Sequence, residues 1–173
     1  MPNIVGLVTA IAVAAVLGVA AGRISARAAQ TPPVSNPDAA SWAEAWNSHN
    51  IDTVLGILAK DVQIDQPENP KPLDYEGARG FFTMIFRAYP DFHVTVRQWI
   101  AQGDSAVSVE QVTGTWSGPF IDPATGKSTP GNGRHFDHPG AMVIQYDANH
   151  KIEHVSIYWD QLTVDHQLGI TPK

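Results

Sequence analysis

Cysteine is absent from the 173 residues. That removes disulfides, thiolate metal sites, iron–sulfur clusters and a cysteine nucleophile from consideration. It leaves the compartment open. Positive charge is scarce: eleven Lys and Arg stand against seventeen Asp and Glu, for a net charge of −6, and the nine basic residues beyond residue 28 are scattered. A nucleic-acid partner is therefore not expected, because phosphate recognition needs a clustered basic surface. Charged residues make up 16% of the chain and hydrophobic ones 43%. This length and balance fit one ordinary globular domain. Internal repeats, a Gly-x-Ser-x-Gly elbow and a phosphate loop are missing as well. Thr125-Gly126-Lys127 reads as a turn.

One long hydrophobic run is present. Ile4 to Gly22 carries no charge and is followed by Arg23 and Arg27. Two readings stay open for residues 1–28. As a signal peptide, the run has a small-x-small cleavage site in Ala26-Arg27-Ala28, although the usual positive n-region is missing. The domain would then be exported, periplasmic or secreted. As a membrane anchor, its nineteen residues are close to the ~20 that span ~30 Å of hydrocarbon. The arginines would then stay on the cytoplasmic side. In either case membrane contact is expected only through this segment. Residues 29–37 read as a Pro-rich tether, and residues 38–173 as the folded domain.

Asp38 is a capping residue for a helix whose apolar positions Ala39, Trp42, Ala43 and Trp46 recur at helical spacing. Asp52 is placed to cap a second, short helix with Val54, Leu55 and Leu58 inward. Asp61–Asp65 follows as a short strand, closed by a Pro-rich loop. Tyr75–Tyr89 is the strongest helical pattern, with Phe81, Phe82, Ile85, Phe86 and Tyr89 in one stripe and Pro90 at its end. The period then changes to two. Phe92, Val94 and Val96 alternate with polar residues, Gly103-Asp104 marks a turn, and Ser105–Trp116 completes a hairpin. Gly118–Gly133 reads as a loop. Strands are expected near Arg134–Tyr146 and Lys151–Trp159, then a helix over Gln161–Leu168 stopped by Gly169. Helices in one half and strands in the other predict an α+β domain. It would be a curved antiparallel or mixed sheet with about three helices on one face and a hollow between them.

The runs Trp46–Leu55, Lys60–Asp65, Tyr75–Phe82, Tyr89–Phe92, Thr113–Phe120, Lys151–Glu153, Tyr158–Asp160 and Gln167–Gly169, in this order and spacing, resemble the SnoaL-like polyketide cyclases. These belong to the broad group with the cone-shaped fold of nuclear transport factor 2. The resemblance implies a deep apolar pocket, a homodimer, and acid–base chemistry without metal or organic cofactor. The implied reactions are of cyclase, isomerase or hydratase type. Family members that close rings by aldol chemistry use a pocket Asp with a nearby His. Ungapped alignment puts the Asp position on Ile157 and the His position on Ala141, and neither side chain can move a proton.

Other residues must then supply the chemistry. Alternation places Glu153, Val155, Ile157 and Trp159 on one face of the last strand and Ile152, His154, Ser156 and Tyr158 on the other. The first set is the more apolar and is expected to line the hollow. Glu153 would then be a partly buried acid or base. Asp65 ends the first strand, where alternation turns it outward unless the strand end bends. His135-Phe136-Asp137-His138 has the look of a metal half-site, but residues three apart point to opposite faces of a strand unless Pro139-Gly140 forms a bulge. No metal is expected, and Asp137 or His138 is a candidate lone acid/base. Asp160 is read as an N-cap. His154 and Tyr158 fall on the outer face, where an interface role is expected.

Glu153, Asp65, Asp137 and His138 are therefore the candidate proton-transfer residues. Trp42, Trp46, Phe82, Phe86, Trp116, Ile157 and Trp159 are the candidate lining for a small hydrophobic, carbonyl-bearing ligand. The rival readings are a non-catalytic, exported or membrane-tethered binding module and an assembly subunit docking a partner through its sheet. Intact-mass analysis of the exported protein separates the two N-terminal readings: a cleaved signal gives a chain beginning at Ala29, and an anchor leaves residues 1–28 attached.

Overall fold

A computed structural model of the chain describes residues 37–67, 71–121 and 126–170. The proposed signal or anchor at residues 1–28, nearly all of the tether, and Thr125 of the expected turn lie outside the described residues. Among the described residues no helix is long and apolar enough to cross a membrane.

The element order is α1 (Pro37–Asn47), α2 (Ile51–Gly56), β1 (Leu58–Asp65), α3 (Tyr75–Ala88), β2 (His93–Gln102), β3 (Ser105–Thr115), β4 (Phe120–Ile121), β5 (Ser128–Thr129), β6 (His135–Tyr146), β7 (Ile152–Trp159) and α4 (Gln161–Leu168). Five strands form a curved mixed sheet in the order β1-β7-β6-β3-β2, with β1 parallel to β7 and the other pairs antiparallel. The helices pack on one face: α1 against β2, α3 against β1 and α4 against β6.

The capping chemistry differs from expectation in the first two helices. Asp38 lies in the first turn of α1 rather than ahead of it. At α2 the cap is Asn50, whose side chain accepts from the backbone N–H groups of Asp52 and Thr53 at 2.9 and 3.4 Å. Asn50 is extended (φ −109°), as a cap must be, while Asp52 is already helical. Leu58 is not in this helix. It opens β1, which starts three residues earlier than the alternating pattern indicates, because a register irregularity lies between Leu58 and Gln63 and breaks the alternation. Asp160 is the N-cap its sequence position indicates, and Asp74 is a further cap beyond those expected. Asp74 accepts from Gly77 N–H at the start of α3, and Asp160 caps α4 by accepting from Thr163 N–H and Oγ1 at 3.1 and 2.7 Å. Gly169 ends α4 in the left-handed region (φ 69°), which costs glycine nothing.

The inner face of β3 reads Ala106, Ser108, Glu110, Val112, Gly114, and each of these is buried. Its ladder with β6 is unbroken from Ser105↔Gln145 to Thr115↔His135, so Phe136, His138, Gly140, Met142 and Ile144 share that inner face. The expected loop 118–133 contains the small β4–β5 pair. Just before it, the N–H groups of Ser117 and Gly118 both donate to Ala88 O, at 3.2 and 3.0 Å. A Cβ on Gly118 would stand 1.8 Å from Arg87 O, so only glycine lets the end of β3 come this close to the last turn of α3.

One carboxyl is sealed in this core. Glu110 is 1% exposed. Its Oε1 accepts from Trp42 Nε1 at 2.5 Å and from Ser108 Oγ at 2.6 Å, while Oε2 has no hydrogen-bond partner. Burial raises its pKa above the ordinary 4.5, and the two hydrogen bonds only partly oppose that rise. The native state therefore keeps this proton where the unfolded chain releases it. The stability it contributes is complete below pH 4.5 and is lost as pH rises through the native value. Glu110→Gln keeps an acceptor for both donors and removes the titration. Its unfolding free energy relative to wild type should increase between acid and neutral pH in urea melts. Glu110→Ala strands both donors over a void and should cost about 2–4 kcal/mol at acid pH, falling as pH rises and the wild type loses its own stabilisation.

Candidate functional site

The helices and the inner sheet face do not meet everywhere. Between them lies a cavity of about 680 Å³, within the ~300–1,000 Å³ common for small-molecule pockets. Its walls come from α3 (Phe81, Met84, Ile85), its C-cap Tyr89, the sheet (Val112, His138, Gly140, Met142, Ile157, Trp159) and α4 (Gln161, Val164, Asp165, Leu168), with Trp46, Phe92, Trp116, Phe120 and Phe136 adding aromatic surface. The lining is overwhelmingly apolar.

Of the residues expected to line the hollow, Trp46, Trp116, Ile157 and Trp159 do so. Trp42, Phe82 and Phe86 do not. Trp42 and Phe82 are buried behind Trp46, each edge-to-face with its ring at 5.6 and 4.8 Å. Phe86 lies beyond them, stacked on His49 at 5.1 Å. One helical stripe carries all of α3's aromatics, but only part of its width reaches the open space.

The four candidate proton-transfer residues separate. Glu153 is exposed and outside the cavity. Simple alternation fails because β7 is irregular there: Gln145 pairs with His154 and Tyr146 with Ile152, so Glu153 is the extra residue of a bulge. Ile152 takes the inward position instead and is 2% exposed. Asp65 is turned to the outer face, where it accepts from His154 Nε2 at 2.7 Å and faces Ser156 Oγ at 3.4 Å. Asp137 is exposed on that face too, hydrogen-bonded by Gln111 Nε2. The unbroken β3–β6 ladder leaves no bulge at Pro139-Gly140, so His135 and His138 point to opposite faces.

His138 alone of the four reaches the cavity, and it is 7% exposed. Its Nδ1 lies 2.9 Å from Pro139 O. A carbonyl can only accept, so in the neutral ring Nδ1 carries the proton and Nε2 holds the lone pair. Phe136 touches both His138 (ring centroids 5.6 Å apart) and Tyr89 (5.1 Å, edge-on). Burial, with a smaller contribution from the Asp165 charge, pushes the Tyr89 hydroxyl up to about 12. Tyr89 is therefore a neutral donor at physiological pH. Asp160, at the entry to α4, is held below the usual carboxylate range, chiefly by its hydrogen bonds from Thr163 and slightly by His138.

Asp165, Tyr89 and Gln161 were not among the expected site residues. Asp165 had a readable signal, since Gln161, Val164, Asp165 and Leu168 recur at i, i+3, i+4 and i+7 and so share one face of α4. What pins that face over the cavity had none. Gln167 grips the backbone of Asp137 twice, accepting from its N–H at 2.8 Å and donating to its carbonyl at 2.9 Å, and Asn132 Nδ2 donates to Leu168 O at 2.7 Å.

A profile of the SnoaL-like polyketide cyclase family matches residues 39–168. No curated protein matches the chain. Among solved structures, TsrD from Streptomyces laurentii superposes with a TM-score of 0.63 at 18% identity, covering 79% of this chain and 98% of that one. IdmH from Streptomyces antibioticus, described as a candidate polyketide cyclase, gives 0.60 at 27% identity over 76% and 96%. A Catenulispora acidiphila protein with a ketosteroid isomerase-like fold, solved with trimethylamine, gives 0.64 at 19% identity over 79% and 96%. The curved sheet with helices on one face is the fold of this group.

Filling the cavity tests that it is accessible. Val164→Trp puts an indole into it from α4. The neutral dye N-phenyl-1-naphthylamine should fluoresce with the wild type and bind the variant about tenfold more weakly, as loss of buried apolar contact requires. Equal dye binding by the two would count against an open cavity.

Proposed function

From the premise that this chain belongs to the SnoaL-like polyketide cyclase family, we propose that it is an enzyme of cyclase, isomerase or hydratase type. It acts by general acid–base catalysis, through side chains alone, on a small hydrophobic molecule bearing a carbonyl. The observation that carries this reading is the His138 imidazole in the cavity wall, with its Nδ1 proton committed to Pro139 O and its Nε2 lone pair left for a ligand.

The chemistry follows from the two groups flanking Phe136. His138 Nε2 takes a proton from the carbon next to the substrate carbonyl. The electron pair of that C–H bond moves into the enolate, and the Tyr89 hydroxyl donates a hydrogen bond to the developing oxyanion. A proton held by burial and by the neighbouring carboxylate is well suited to this task, because it is shared without being surrendered. The imidazolium then returns its proton, either to a different carbon (isomerisation) or to the alkoxide formed when the enolate attacks a second carbonyl (cyclisation). The apolar walls exclude water and strengthen both interactions.

A second reading, a non-catalytic binding module, is favoured by Ile157 and Ala141 at the positions where ring-closing relatives carry Asp and His. One measurement separates the two. 2-Tetralone, a flat apolar ketone with acidic α-protons, is incubated in heavy water and followed by proton NMR. The enzymatic reading expects wild-type protein to accelerate α-deuteration and His138→Gln to slow it by about 10²–10⁴-fold. Tetralone binding without exchange favours the binding module. Full exchange by His138→Gln overturns the assignment of the base.

A further inference from the structure

Apart from the His138 imidazole, the described lining of the cavity carries formal charge of one sign only. Asp165 is the only carboxylate among its described lining residues, and no Lys or Arg lines it. Arg134 packs its guanidinium against Gly169 at the end of α4 without joining the lining.

Asp165 is held by a relay whose polarity can be assigned. Trp159 Nε1 donates to Gln161 Oε1 at 2.6 Å, and Gln161 Nε2 donates to Asp165 Oδ1 at 2.7 Å. An indole N–H can only donate, so Gln161 must turn its carbonyl to Trp159 and its amide to Asp165. Asp165 is thereby oriented as an acceptor through Oδ1, and no side-chain bond to its Oδ2 is present among the described residues. The carboxylate shares the cavity lining with Tyr89 and Trp159: its charge is felt at the Tyr89 hydroxyl, and Gln161 links it to the Trp159 indole. Electron-rich ring faces next to a fixed carboxylate attract a cation and repel an anion.

We infer that Asp165 is a specificity-determining residue, positioned by Gln161 and Trp159, which selects hydrophobic ligands bearing a protonated amine over acids of the same shape. This rests on the cavity being the ligand site, and deepens that reading by naming the class of its ligand.

Three probes share one naphthalene body: 1-naphthylmethylamine, 1-naphthalenemethanol and 1-naphthoic acid. Equilibrium dialysis against the full-length protein at neutral pH measures each. The amine should bind at least about tenfold tighter than the acid, as one charge-assisted hydrogen bond allows, with the alcohol between them. Asp165→Asn should bring the amine-to-acid ratio close to one while alcohol binding stays within about twofold, which also reports that the variant is folded. Gln161→Leu should lower the ratio only in part. Acid binding as tight as amine binding, or a preference that survives Asp165→Asn, overturns the inference and leaves the cavity reading standing. If none of the three probes binds the wild type, both the cavity reading and this inference fall.

Discussion

The packing of Trp46 divides the interior of this domain. One part of its ring is clamped between Trp42, Phe82 and Phe92, at centroid distances of 5.6, 4.8 and 5.6 Å. The same residue also forms part of the cavity wall. On the packed side, Ile64, Val94 and Val62 fill the space at 1% exposure or less. On the other side the walls stand apart, and Gly140 leaves one row of the sheet without a side chain, between Glu110 on β3 and Trp159 on β7. A domain of this size gains most of its stability from apolar burial. Concentrating the large rings around Trp46 lets the remainder of the same inner face stay open.

Two carboxyls illustrate how burial and access diverge in this interior. Glu110 is sealed beneath Trp42 and Ser108, and its raised pKa is a matter of stability. Asp165 comes from the opposite side of the interior, on α4, and borders the open space. A carboxyl whose pKa is raised by burial therefore does not mark the site here. A titratable group needs a path to ligand before its proton affinity has a chemical use. His138 meets that requirement through strand geometry, and Tyr89 through its place at the end of α3, where Pro90 stops the helix.

The closing helix organises the site from outside the sheet. Its first turn is fixed by Asp160, and its last by Gly169 and by the two hydrogen bonds between Gln167 and the backbone of Asp137. Asp137 thus has a structural part to play from the outer face of β6, through its backbone, even though its side chain points away from the cavity. The outer face itself carries the Asp65–His154 pair and the exposed Tyr158 and Val143, chemically distinct from the apolar interior.

The amino-acid sequence by itself determined the succession of the helices and the five long strands, the stops at Pro90 and Gly169, the inward positions Val94 and Ile157, and the family. These are local signals: a period of 3.6 or 2, a cap, a turn residue. The sequence offers His138 as an alternative to Asp137, and the uninterrupted pairing of β6 with β3 decides that it is the one facing inward. Glu153 was misread because one extra residue inverts every earlier side chain in its strand, and a bulge is visible only in the pairing of β7 with β6. Which aromatics would be packed and which left bare, and that Asp165 would share a cavity wall with Tyr89, were decided by tertiary structure. Those contacts join residues far apart in the chain, and no local pattern encodes the distance at which two packed layers stop touching.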